Sequence, residues 1–261
     1  MPYAVLPDIK LYYEEHGSGE PILFLHGFTL DRRMWGPQVP YFSEAFRVLV
    51  LDQRGHGKSD APVTGYSRDE RSEDVLHLLD FLKIDRVHLV GLSMGGAVAI
   101  GFALKYQERL RSLTLVSTGA AGFSTGKKFS RLDSVAKDRG KEAVMSEWMK
   151  MALLWYKGDK VEIKNLMSQM MSEHSGAIWM DPTRGKYPKT VDLEHVQAIT
   201  VPTSIFAGSA DRVFVPLSRQ LHEKISGSRL FIYDGIGHML NLEAPARFNG
   251  DLRIFLESTG D

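Results

Sequence analysis

The sequence predicts an α/β fold built around a parallel sheet. Two observations carry this prediction. Six short apolar, β-branched runs recur along the chain: PILFL at 21–25, FRVLVL at 46–51, RVHLV at 86–90, LTLV at 113–116, TSIFA at 203–207 and LFIY at 230–233. Several are separated by segments with helical periodicity, as in 68–82, where Val75, Leu78, Leu79 and Leu82 recur at three- and four-residue spacing. Runs without polar alternation, interleaved with amphipathic helices, indicate strands covered on both faces. At 261 residues the chain is long enough for one large core or two small ones.

Taken in order, the alternating segments 4–6 and 9–13 predict an antiparallel hairpin leading into the sheet. The strand and helix rhythm then runs to about residue 119. Between 120 and 192 it stops, and two amphipathic helices replace it. One carries Val144, Met145, Trp148, Met149, Ala152 and Trp155 on a stripe, and the other Val161, Leu166, Met167, Met170 and Met171. The expected organisation is therefore a core from 1–119, a helical cap from 120–192 and a return to the core from 193–261. No internal repeat is visible.

Composition narrows the function classes. Lys plus Arg number 32 and Asp plus Glu number 32. A formally neutral chain with no basic stripe lacks the charge that phosphate backbones require, so nucleic acid is not an expected partner. The absence of Cys removes disulfides, thiolate metal sites and cysteine nucleophiles together, and is compatible with a reducing compartment. The N-terminal segment lacks the basic start and apolar stretch of a secretory signal, and Glu14 and Glu15 count against a transit peptide. No apolar run reaches about 18 residues. A cytoplasmic protein without a membrane span is expected, with monomer and homodimer both open.

The chemistry concentrates at Gly91-Leu92-Ser93-Met94-Gly95, which follows a strand run and precedes a segment rich in small residues. A sharp strand-to-helix turn strains its central residue, and flanking glycines admit the close backbone approach. The turn lifts the Ser93 hydroxyl above the sheet at a helix N-terminus. A serine hydroxyl needs a base, and the base needs an orienting acid. His238 follows the last strand run, so it sits on a loop at a strand's C-terminal end. Asp211 follows TSIFA in the same relation, where open α/β sheets place their ligands. Asp234 is a rival acid four residues before His238. Capping of the following helix is the plain structural alternative for Asp211, and a solvated loop position that for His238. The oxyanion of an acyl-transfer intermediate needs two donors; the Met94 N–H and, from the loop after PILFL, the Phe28 N–H are the candidates. His26 and His56 fall in neighbouring loops and are read as structural.

With HGF at 26–28, GLSMGG at 91–96, DQRGHGKSD at 52–60 and the Asp and His loops, the sequence resembles the α/β-hydrolase fold superfamily over nearly its whole length. The resemblance implies a mostly parallel eight-stranded sheet with helices on both faces and a helical lid after the sixth strand. Arg54 and His56 would brace the loop beside the oxyanion hole. Serine at position 93 departs from the aspartate nucleophile of the similar haloalkane dehalogenases and epoxide hydrolases. GLSMGG is most similar to 3-oxoadipate enol-lactonases and small carboxylesterases. Carbon-carbon bond hydrolases share SMGG but usually carry Asn where Leu92 stands, and cofactor-free perhydrolases are also similar at this turn.

Seven of 11 Met and three of four Trp lie between 145 and 180. Part of this stripe must bury the cap on the core; the remainder can form an adaptable apolar wall over Ser93. Trp148, Trp155, Trp179 and Met239 are thus candidate substrate contacts. Residues 120–190 carry five more Lys and Arg than Asp and Glu. Most of these charges are read as a solvated face, with Arg184 or a cap lysine a candidate partner for a substrate carboxylate. The expected function is hydrolysis of a small ester or lactone, with no metal or organic cofactor required. Carbon-carbon hydrolysis of a ring-fission product, perhydrolysis and slow-turnover ligand-binding signalling stand as alternatives.

Overall fold

A computed structural model describes residues 3–123, 127–183 and 191–259 and, over 127–130, the backbone alone. The eight strands are β1 (Tyr3–Val5), β2 (Lys10–His16), β3 (Glu20–Leu25), β4 (Phe46–Leu51), β5 (Val87–Leu92), β6 (Leu110–Val116), β7 (Thr203–Gly208) and β8 (Arg229–Tyr233). They form one sheet in the order β1-β2-β4-β3-β5-β6-β7-β8. β1 and β2 pair antiparallel, as does β2 with β4, and every later pairing is parallel.

The apolar runs are continuous because successive residues serve different cores. In β3, Ile22 and Phe24 join one buried cluster while Leu23 and Leu25 join the other, and Val48 and Val50 separate from Leu49 and Leu51 in the same way. Helices α1 (Gln38–Phe42) and α9 (Pro245–Glu257) contribute Phe42, Phe248 and Leu252 to the first cluster. Helices α2 (Arg68–Phe81), α3 (Met94–Tyr106) and α7 (Val215–Lys224) contribute Val75, Leu78, Val98, Phe102 and Leu217 to the second. The start of α2 is fixed by Ser67, whose hydroxyl accepts from Glu70 N while the Glu70 carboxylate accepts from Ser67 N.

β5 and β6 run well beyond the apolar segments that predict them. β5 continues through Gly91 and Leu92, which pair with Leu115 and Val116. β6 begins at Leu110 because Leu110 and Ser112 already pair with Val87 and His88, although Arg111 and Ser112 mask the run in sequence. Extending β5 to Leu92 sets Ser93 directly on the end of the strand.

Between β6 and β7 the described residues form three α-helices, α4 (Lys127–Leu153), α5 (Val161–Glu173) and α6 (Ala177–Met180), where the periodicity indicates two. α4 breaks at Gly140, whose φ of 80° and ψ of −176° lie outside helical values. Val144, Trp148, Ala152, Met167, Met170 and Met171 are buried, whereas Val161, expected on the buried stripe, starts α5 and is 65% exposed. A further short helix, α8 (Leu240–Glu243), precedes α9. Among the described residues no helix is long and apolar enough to cross a membrane.

Two glycines separate conformational freedom from close packing. A Cβ at Gly91 would strike the Gly95 carbonyl, whereas one at Gly250 in α9 meets nothing within 4 Å. Gly91→Ala is expected to destabilise by about 1–3 kcal/mol through overpacking. Gly250→Ala should stabilise by about 0.5–1 kcal/mol through helix propensity. Urea unfolding of the two variants measures both signs.

Candidate active site

Register brings the site together. Leu25 of β3 is paired with Gly91 of β5, so the loop after β3 and the turn after β5 leave the sheet side by side. Ser93 turns the chain with φ 55° and ψ −111°, a conformation that costs a non-glycine residue of order 1–3 kcal/mol. Its N–H donates to Val116 O at 3.0 Å, and its carbonyl accepts from Ala97 N at 3.1 Å and Gly119 N at 3.0 Å. The flanking glycines are steric requirements: a Cβ at Gly95 would strike the Leu25 carbonyl.

At the other side, Gly208 of β7 is paired with Tyr233 of β8. The loops that follow are stitched by Ser209 N donating to Tyr233 O at 2.8 Å and Ala210 N donating to Ile236 O at 2.9 Å. His238 Nδ1 lies 2.6 Å from Asp211 Oδ2 in a buried pair. The other Asp211 oxygen accepts from Phe214 N at 3.3 Å, so this aspartate also caps the chain entering α7. Asp234 instead accepts from the Ser209 hydroxyl at 3.0 Å, and its hydrogen bond is exposed. The His238 ring is bracketed by Trp155 at 5.0 Å and Phe214 at 4.8 Å, and the His238 backbone N–H donates to Trp155 O at 3.1 Å.

Ser93 and His238 line one narrow cleft together with Gly27, Phe28 and Met239. His238 Nε2 is buried and has no hydrogen-bond partner among the described residues. The serine hydroxyl and this nitrogen therefore share a cleft without a bond between them.

Behind the cleft, the loop after β3 is held by two neutral imidazoles. His26 Nε2 accepts from Gln53 N at 2.9 Å, and Gln53 Nε2 returns a bond to His26 O at 2.8 Å. His56 Nε2 accepts from Thr29 N at 3.2 Å. Burial pushes His26 down to about 4 and His56 well below the usual histidine range. His174, at the end of α5, stacks edge-on against His56 at 4.4 Å and is pushed by burial to about 3. Thr29, at φ 58°, donates its hydroxyl to Phe28 O and accepts from the Trp148 indole. A helix of the 127–180 region is thus bonded to the residue following Phe28.

A larger cavity of 270 Å³ opens beside Ser93. Phe28, Met94, Trp148, Trp155 and Trp179 all line it, whereas Met239 lines the narrow cleft. Arg184 lies outside the described residues. The cavity wall adds Tyr66, Arg71, Ile178 and Phe214, which the sequence does not single out. Arg68 also lines the cavity, three residues before Arg71 on the same face of α2. Glu243 was also missed: its carboxylate accepts from Gly237 N at 2.8 Å and Met239 N at 3.1 Å, clamping the His238 loop from both sides, and burial pushes its pKa up. Among the described residues no cluster of three or more His, Asp or Glu side chains is placed to hold a metal ion.

The sequence profile of the Alpha/beta hydrolase family matches residues 22–251. The chain is 28% identical to 3-oxoadipate enol-lactonase 1 of Acinetobacter baylyi, over 87% of this chain and 85% of the relative. Its fold superposes on the crystal structure of an enol-lactonase from Burkholderia xenovorans with a TM-score of 0.87 and 27% identity, covering 98% and 100% of the two chains. An esterase from Exiguobacterium antarcticum gives a TM-score of 0.87 and 26% identity, covering 98% of each.

The buried histidines make stability depend on pH. The unfolded chain takes up their protons near pH 6.5, whereas folded His26 and His174 resist until about 4 and 3. The unfolded state therefore binds more protons in this window, and stability, complete above pH 6.5, falls as pH drops toward 4. Urea unfolding at pH 7, 6 and 5 should show this slope, and His174→Phe should flatten it.

Proposed function

The chain belongs to the Alpha/beta hydrolase family, and we propose that it is a serine hydrolase of small carboxylic esters or lactones working through Ser93, His238 and Asp211. The observation that carries this reading is the buried 2.6 Å pair of His238 and Asp211, whose remaining imidazole nitrogen shares a cleft with the strained Ser93. The enol-lactonase and esterase similarities support the same bond class.

In this scheme His238 Nε2 takes the hydroxyl proton as Ser93 Oγ attacks the substrate carbonyl carbon. Asp211 keeps the proton of His238 on Nδ1, so that Nε2 is the free base, and stabilises the imidazolium as it forms. The carbonyl oxygen becomes an oxyanion, received by the N–H groups of Met94 and Phe28. Met94 is the first residue of α3, so its N–H has no acceptor within the helix. Each such donor is worth about 3–4 kcal/mol in the transition state. Collapse of the intermediate expels the alkoxide, which His238 protonates, leaving an acyl group on Ser93. A water that gives its proton to His238 then attacks the acyl carbon, and the carboxylic acid leaves as Ser93 recovers its proton. With a lactone the alcohol and acid leave as one opened molecule.

The helices within 120–192 serve in this reading as a lid, with Trp148, Trp155 and Trp179 as the apolar wall of the substrate cavity. Met239 belongs to the cleft beside His238, where it would flank the scissile bond. The direct test is 4-nitrophenyl acetate hydrolysis and covalent labelling by a fluorophosphonate. Both should be lost in Ser93→Ala, with the fold intact by circular dichroism. Retention of either activity or labelling in that variant would remove Ser93 from the scheme.

A further inference from the structure

Three spaces adjoin Ser93 and His238. The inner cavity of 270 Å³ reaches Ser93, and the narrow cleft holds Ser93 together with His238. An outer chamber of 420 Å³ reaches His238 and Asp211 but not Ser93. It lies between the segment after α4, with Leu154 and Lys157, and the loop after β7, with Ala210 and Val213. Among the described residues Trp155 alone lines all three spaces, and it is the one residue that the inner cavity and the outer chamber have in common. The wall they share is therefore a single side chain.

That wall is held from several directions. Trp155 N donates to Ala152 O at 3.0 Å, and Trp155 O accepts from His238 N at 3.1 Å. The indole meets Trp148 at 5.5 Å and 89°, Phe214 at 6.1 Å and 85°, and His238 at 5.0 Å and 64°. Edge-to-face contacts of this kind fix a ring's orientation as well as its position. A helix of the 127–180 region, the approach to α7 and the loop after β8 thus each press a ring against the same indole. The inner cavity alone falls just below the usual volume for a drug-sized ligand, whereas the two spaces joined would lie well inside that range. Leu154, Ala210 and Val213 give the outer chamber apolar lining that an alkyl chain passing the wall would meet.

We propose that Trp155 is a specificity-determining partition, which confines the acyl group to the inner cavity and so restricts the enzyme to esters of short or compact acids. Without the indole the acyl site would continue past His238 into the outer chamber. The proposal rests on the serine hydrolase reading for its chemistry and adds to it the size class of the substrate.

The test compares kcat/KM for 4-nitrophenyl butanoate and 4-nitrophenyl decanoate. The wild type should favour butanoate by about 10-fold or more, the scale on which a pocket rejects methylenes it has no room for, and Trp155→Ala should lower that ratio by a similar factor. Loss of the ring beside His238 slows both esters, and the ratio cancels that effect. Trp155→Leu repeats the measurement with more of the packing kept. Ile178→Ala enlarges the inner cavity without touching the outer chamber, so it should move the ratio far less. Adding Val213→Phe to Trp155→Ala should refill the chamber and restore part of the preference. A wild-type ratio near one, a ratio unchanged in both Trp155 variants, an equal change in Ile178→Ala, or no recovery with Val213→Phe overturns the proposal. Calorimetry on Ser93→Ala reads the partition without turnover: 2-decanone should bind much more tightly once Trp155→Ala is added, whereas 2-butanone should not, and equal binding of 2-decanone with and without the indole overturns the proposal. If that difference is found while the wild type hydrolyses neither ester, the hydrolase reading fails and the partition stands.

Discussion

The chain reverses at Ser93 in a backbone conformation that residues with a side chain rarely adopt. Such a turn persists only where its surroundings leave no alternative, and here they are specific. β6 supplies an acceptor for the Ser93 N–H, the chain beyond β6 supplies a donor to its carbonyl, and two glycines let the start of α3 press against β3 and β5. The same close approach draws the loop after β3 toward the serine. The position of Phe28 is therefore a consequence of how tightly the turn at Ser93 is packed.

A loop running under a site presents polar backbone groups that must be satisfied away from water. The solution here is a set of uncharged imidazoles, with His26 and His56 accepting from Gln53 N and Thr29 N. Neutral rings suit the task because they accept hydrogen bonds without bringing charge into the packed loops beside Ser93. Their burial makes this arrangement sensitive to acid, since protonation would convert each acceptor into a donor facing another N–H.

The fold was readable because strands covered on both faces leave an uninterrupted apolar trace, and because glycines around a serine between a strand and a helix have few other uses. The parallel order also places the loops bearing Asp211 and His238 next to each other, so their meeting follows from topology. What escaped is what depends on distant packing. Arg71 reads as an ordinary polar position of α2, yet it is buried and bonded to Tyr66 O and Arg54 O of the connection before that helix. Glu243 reads as a surface helix residue, yet it grips two amides of the His238 loop. Val161 kept an apolar identity on an exposed helix start, where periodicity placed it inside.

The helices between β6 and β7 are tied to the sheet's loops at widely separated points. Trp148 is bonded to Thr29, Ser175 to Gly55 O, Glu173 to Arg33, and Trp155 O to His238 N. These ties reach three sheet loops, those after β3, β4 and β8. Loosening one shifts load to the others, so the covering helices and the loops beneath them lose order in concert. Melting of the helices beyond β6 would then remove the backbone bond that holds His238 N, so the order of residues far from the cleft bears on its geometry.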